Sequence, residues 1–260
     1  MQRCPECKRR MIHGPLAALL QHLLFVLLLV VAPIWDYQYT KRLKQNPASE
    51  KKIRVYRTLC AWLWASTAVA CMALPSHSLF TIQPSPRELP WLQIAWVRYV
   101  VEIILALFVV GMLLPIAIAI WKKLTKRPRK YAAAAALKSM AWFLPATWSE
   151  RRWFAAVAIT AGICEEILFR GFLLSYLHVF PLKLSLTLAL FAAAAIFGLQ
   201  HLYQGIAGVV QTAVGGLLFG LLFLLTGTLL LPIILHAITD LRMLVILPPP
   251  AAANAATAES

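Results

Sequence analysis

Apolar stretches long enough to cross a bilayer recur along the whole chain, at about residues 16–35, 58–74, 91–121, 153–180, 184–203, 206–226 and 228–247. A helix needs about 20 mostly apolar residues to cross the roughly 30 Å hydrocarbon layer. Strands of a membrane barrel would instead alternate apolar and polar positions. The pattern therefore predicts an all-α, polytopic transmembrane bundle of about seven membrane helices. The first run follows a basic arm, but it is too long for the apolar core of a signal peptide and no small-residue cleavage site follows it. Residues 131–148 are Ala-rich and interrupted by Lys138 and Pro145, which suits an amphipathic interfacial helix better than a span.

The chain is thus divided into a basic N-terminal arm (1–15), N-terminal membrane helices with basic loops (16–130), an amphipathic interfacial segment (131–152), a four-helix core (153–247) and a Pro- and Ala-rich tail expected to be disordered (248–260). The connections inside the core are very short, so its helices should pack as antiparallel neighbours. Gly208, Gly215, Gly216 and Gly220 offer the small-residue surface that lets membrane helices approach closely.

Composition agrees with the pattern: 61% of residues are hydrophobic, 13% are charged, and mean hydropathy is +0.73. The net charge of +15 does not indicate nucleic acid, because Lys and Arg fall in short segments between apolar runs. They cluster at 36–57, read as a polar loop, and at 122–130, which marks both as cytoplasmic. If every run spans once, the N-terminus lies outside despite its own basic residues. Cys60, Cys71 and Cys164 sit within apolar runs and are read as packing residues. Cys4-Pro5-Glu6-Cys7 resembles half of a zinc ribbon, with His13 as a possible third ligand, but no second Cys pair follows.

Of the ten Asp and Glu residues, Glu102, Glu165, Glu166 and Asp240 fall inside predicted spans, where an ionised group costs at least a few kcal/mol. Glu102 has Arg98 four residues before it and pairs locally. The other three share the C-terminal core with His201 and His236. On an ideal helix Arg170 stands about 40° around the axis from Glu166 and about 140° from Glu165, so it can hold Glu166 while Glu165 points elsewhere. An unpaired carboxylate in such surroundings is suited to act as a base toward water. Phe197 lies one turn before His201, with Gly198 leaving room for a neighbouring backbone or a substrate. His236 and Asp240, also one turn apart, can orient each other, and an Asp-fixed imidazole can donate to an oxyanion. Pro232, four residues before His236, can loosen the helix and free backbone groups.

Glu-Glu-x-x-x-Arg, then Phe-x-x-x-His, then His-x-x-x-Asp, in this order on successive apolar helices, resemble the CAAX prenyl protease and bacteriocin-processing (CPBP) family over residues 153–247. The resemblance implies an intramembrane glutamic endopeptidase built wholly of helices, needing no cofactor. By position, Glu165 resembles the catalytic base and His201 its partner in holding the water. His236 with Asp240 resembles the oxyanion side, and Glu166 and Arg170 the supporting members of the first motif. The implied partners are a peptide or protein substrate and the lipid bilayer, and the implied location is a bacterial inner membrane.

Other readings stand beside this one. A zinc-dependent membrane protease has histidines and carboxylates to draw on, but there is no His-Glu-x-x-His pair and an arginine sits among the acids. A non-catalytic scaffold or bacteriocin-immunity protein would keep the fold without the chemistry. A proton-coupled transporter would use buried Glu and His as well, but no inverted repeat is visible.

Overall fold

The computed structural model describes residues 15–44, 49–73, 88–126, 140, 142–179 and 181–247. The Cys4/Cys7 arm with His13, residues 131–139 and 141 of the interfacial segment and the Pro-rich tail lie outside them. Among the described residues the protein is helical with no strand, and seven helices build a membrane bundle: α1 (Pro15–Lys44), α2 (Ser49–Ala73), α3 (Ala95–Leu124), α4 (148–178), α5 (Leu186–Leu199), α6 (Ile206–Thr226) and α7 (Leu230–Ile246). Helices α1, α3 and α6 are long and apolar enough to cross a membrane. On α3 the outward side chains Leu107, Val110, Leu114 and Ile118 are exposed, as lipid-facing residues are. The chain is a multi-pass membrane protein.

Helix α4 is the axis of the bundle, packed between α2 and α7, while α5 pairs with α6 and α3 flanks α7. Its start is set by a capping box: the Thr147 hydroxyl accepts from the Glu150 backbone N–H, and the Glu150 carboxylate accepts from the Thr147 N–H. The helix therefore begins at Trp148, five residues before the apolar run that announces it, and residues 148–152 are its first turn. The Thr-x-x-Glu signature was present in the sequence but hidden by the polar composition of that turn. Glu150 is buried and has Lys52 of α2 at 4.0 Å.

The basic segment 36–57 differs more from expectation. It is helical up to Lys44 and again from Ser49, and Asp36 belongs to α1. Lys and Arg are good helix formers, and Lys41, Arg42 and Lys44 complement the negative end of the α1 dipole.

Close backbone approaches are made by particular glycines. A Cβ on Gly162 of α4 would meet the Ala237 backbone nitrogen of α7 at 2.7 Å, and one on Gly198 of α5 would meet the Val209 carbonyl oxygen of α6 at 2.6 Å. The space at Gly198 is thus filled by a neighbouring helix. On α6, Gly216 faces Phe197 and Gly220 faces Leu190, whereas Gly208 faces Gln204 of the turn that precedes the helix and Gly215 faces nothing. The small-residue surface is the Gly216/Gly220 pair. Gly227 ends α6 in the left-handed conformation, with φ 69°.

Gly162→Ala is expected to destabilise the protein by about 1–3 kcal/mol through overpacking against Ala237. Gly215→Ala, whose Cβ enters open space, should be neutral or stabilising by up to about 1 kcal/mol. Thermal unfolding of both variants in detergent, beside wild type, checks the contrast.

Candidate active site

Glu165 and Glu166 end the regular α-helical part of α4, and the next seven residues, Ile167–Leu173, wind as a fully buried π-helical stretch. Wider turns of this kind appear inside helices mostly at functional positions. The two neighbouring acids have opposite surroundings. The Glu166 side chain is 0% exposed, whereas that of Glu165 is 18% exposed and lines a cavity of about 110 Å³.

Glu166 Oε1 accepts from Arg170 Nη1 at 2.9 Å and faces His236 Nδ1 at 2.7 Å. A carboxylate only accepts, so the Nδ1 position carries a proton. Arg170 is itself buried, and its remaining needs are met locally. Its Nη2 donates to the Gly216 carbonyl at 3.1 Å, and its guanidinium carbon lies 4.6 Å from the centre of the Phe197 ring and 5.6 Å from that of Phe219. A carboxylate, a carbonyl and two ring faces replace water around the cation. This arrangement ties α4 to α5, α6 and α7.

His236 is held in place by stacking on Phe219, with centroids 5.4 Å apart and planes 18° apart. Its Nε2 lies 3.7 Å from Glu165 Oε2 and 3.8 Å from Asp240 Oδ2, so both approach it beyond hydrogen-bond distance. The residue that orients His236 is therefore Glu166, not Asp240, which was expected to do so from its spacing. Asp240 instead sits at the open side of the cluster, its side chain 38% exposed. Pro232 does not loosen α7 either. It is the third residue of the helix, where its missing N–H is one that no helical carbonyl would have received.

His201 lies two residues past the end of α5, in the turn before a short 3₁₀ segment, Leu202–Gln204, rather than inside a helix. Its Nδ1 donates to the Phe197 carbonyl at 3.0 Å. That contact fixes the neutral tautomer and leaves Nε2 with a lone pair. His201 lines the same cavity as Glu165.

The structure thus brings Glu165, Glu166, Arg170, His236 and Asp240 into one cluster, with His201 on the wall of the adjoining cavity. Glu102 stands apart, paired with Arg98 at 2.9 Å on the exposed face of α3. Two things were not foreseen. Phe219, which stacks on His236 and Arg170, is one apolar residue among many in its run and gives no signal in sequence. Much of the cavity wall comes from α1 and α2, including Asp36. Its signal was a single acid at the edge of a basic cluster, which had been assigned to a loop. Among the described residues, no group of three or more His, Cys, Asp or Glu side chains is arranged to hold a metal ion.

Residues 147–242 match a family model described as "Type II CAAX prenyl endopeptidase Rce1-like". No curated protein and no solved structure matches the chain. The matched segment opens on the capping Thr147 and ends two residues after Asp240, so it contains every member of the cluster as well as His201. Over these helices the chain is similar to the CAAX-type prenyl endopeptidases, which supports a peptidase of the CPBP kind.

Proposed function

We propose that this protein is an intramembrane glutamic endopeptidase in which Glu165 and His201 activate the attacking water and His236, with Asp240 beside it, receives the developing oxyanion. The observation that carries this reading is the division between neighbouring carboxylates. Glu166 is fully buried and committed to Arg170 and His236, while Glu165 borders the cavity that His201 also lines.

In the proposed step Glu165 takes a proton from water, while the unprotonated Nε2 of His201 accepts a hydrogen bond from the same molecule. The water oxygen bonds to the scissile carbonyl carbon, and the carbonyl oxygen takes up negative charge. The protonated ring of His236, anchored at Nδ1 by Glu166, presents an Nε2–H to that oxygen. Collapse of the intermediate breaks the C–N bond, and the proton held by Glu165 passes to the leaving amine. Arg170 is a positioning residue: it neutralises Glu166 and thereby fixes His236. We place the protein in a bacterial inner membrane, with the basic ends of α1, α2 and α3 on the cytoplasmic side.

Glu165→Gln and His201→Ala are each expected to lower kcat for a quenched fluorescent peptide by about 100- to 10,000-fold, the range lost with a general base. Both variants should keep the wild-type thermal unfolding in nanodiscs, and wild-type cleavage should survive chelator. Cleavage abolished by chelator would instead assign the chemistry to a metal protease.

Glu166→Gln leaves Arg170 buried without its counter-charge, which costs about 3–5 kcal/mol. The expected outcome is a lowered unfolding temperature together with lost cleavage. Adding Arg170→Met to Glu166→Gln should recover much of the stability and none of the activity, since His236 still lacks its anchor.

A further inference from the structure

The cavity beside Glu165 is shared between the two halves of the chain. Helices α1 and α2 supply much of its wall, and the 142–143 turn, the middle of α4 and the 200–203 turn supply the rest. The wall is mainly apolar and aromatic, and its only charged side chains among the described residues are the acids Glu165 and Asp36. Glu165 has His236 at 3.7 Å. Among the described residues Asp36 makes no hydrogen bond and no ion pair, even though Lys41, Arg42 and Lys44 follow it on the same helix. A carboxylate left unpaired in apolar surroundings is costly, and the shortfall is met when an opposite charge occupies the space beside it.

The chemistry of the wall selects among occupants. Trp35 and Tyr39 flank Asp36 in the sequence and stack face to face, 5.0 Å between centroids and 5° between planes, and Trp62 lies 6.5 Å from Trp35. Aromatic rings that line one cavity with a carboxylate suit an alkylammonium or a guanidinium, which gains from the anion and from the π-systems while its methylene stem covers apolar wall. They do not suit a carboxylate, which would meet two acids. Resting on the endopeptidase reading above, we propose that Asp36 is the specificity residue of a cation-binding subsite, and that the substrate is a peptide carrying Lys or Arg next to the bond that is cut. The subsite lies on α1, outside the helices that hold the reacting groups. Substrate choice and bond cleavage are thus assigned to different parts of the chain.

The test uses the full-length protein in nanodiscs and a quenched fluorescent peptide library in which each position carries Lys, Arg, norleucine or Glu. Wild type is expected to prefer Lys or Arg over norleucine at one position by about tenfold or more in kcat/KM, the value of one charge-assisted contact. Asp36→Asn should bring that ratio near one, Asp36→Glu should keep it, and Asp36→Lys should turn the preference toward Glu. A ratio near one in wild type, or one unchanged in Asp36→Asn, overturns the proposal. Failure of the endopeptidase reading shows separately, as cleavage that persists in Glu165→Gln or is absent from wild type. In that case binding of the same Lys and norleucine peptides, with and without Asp36→Asn, still decides whether the subsite exists. Equal affinity of the two peptides for wild type would overturn it.

Discussion

One carboxylate oxygen holds the C-terminal helices in their functional arrangement. Glu166 Oε1 is shared between Arg170 of its own helix and His236 of α7, and Arg170 passes the connection on to the Gly216 carbonyl of α6 and the Phe197 ring of α5. A single buried ion is expensive in a low-dielectric interior, and a pair repays that cost only when its remaining hydrogen-bonding groups are also satisfied. Here the cation is satisfied by a carbonyl and two aromatic faces and Glu166 Oε1 by an imidazole, while Glu166 Oε2 is buried without a hydrogen-bond partner among the described residues, so part of that cost is left standing. The imidazole thereby acquires a fixed tautomer and a fixed direction. Folding and site geometry therefore depend on the same contacts.

The contrast between the two glutamates follows from helix geometry. Adjacent residues on a helix point about 100° apart, so one of two neighbouring acids can enter the core while the other reaches the edge of a cavity. That the buried one is Glu166 was legible from the four-residue spacing to Arg170. That Glu166 would also take His236 was not, since it depends on how α7 lies across α4. The close approach that Gly162 permits against Ala237 brings those two helices together. The sequence shows a glycine there, but not the helix it will face.

Legibility had the same limit elsewhere. Periodicity and length located the apolar helices, because crossing a bilayer imposes them on each segment separately. Helix ends were less visible: Thr147 and Glu150 cap α4 inside a polar stretch, and α1 continues as a helix through residues that look like a loop. The division of the chain was read from motifs, which lie between Glu165 and Asp240, and that made the N-terminal half seem unrelated to the site. In three dimensions α1 and α2 enclose the cavity on which Glu165 opens.

The halves are joined by two kinds of contact: side-chain pairs, such as His22 with the Tyr176 hydroxyl, Trp91 with Thr187 and His178 with Glu88, and a second, recurring kind. Lys44 donates to the Tyr203 carbonyl, Lys52 to the Leu144 carbonyl, Tyr56 to the Phe143 carbonyl, and Gln200, in the opposite direction, to the Leu28 carbonyl. In these four every acceptor is main chain, which any amino acid provides. Each tether is therefore encoded at a single position, and the residue across from it is free to drift. Pairs of positions that change together in related chains would reveal the side-chain pairs of the seam but little of these four tethers.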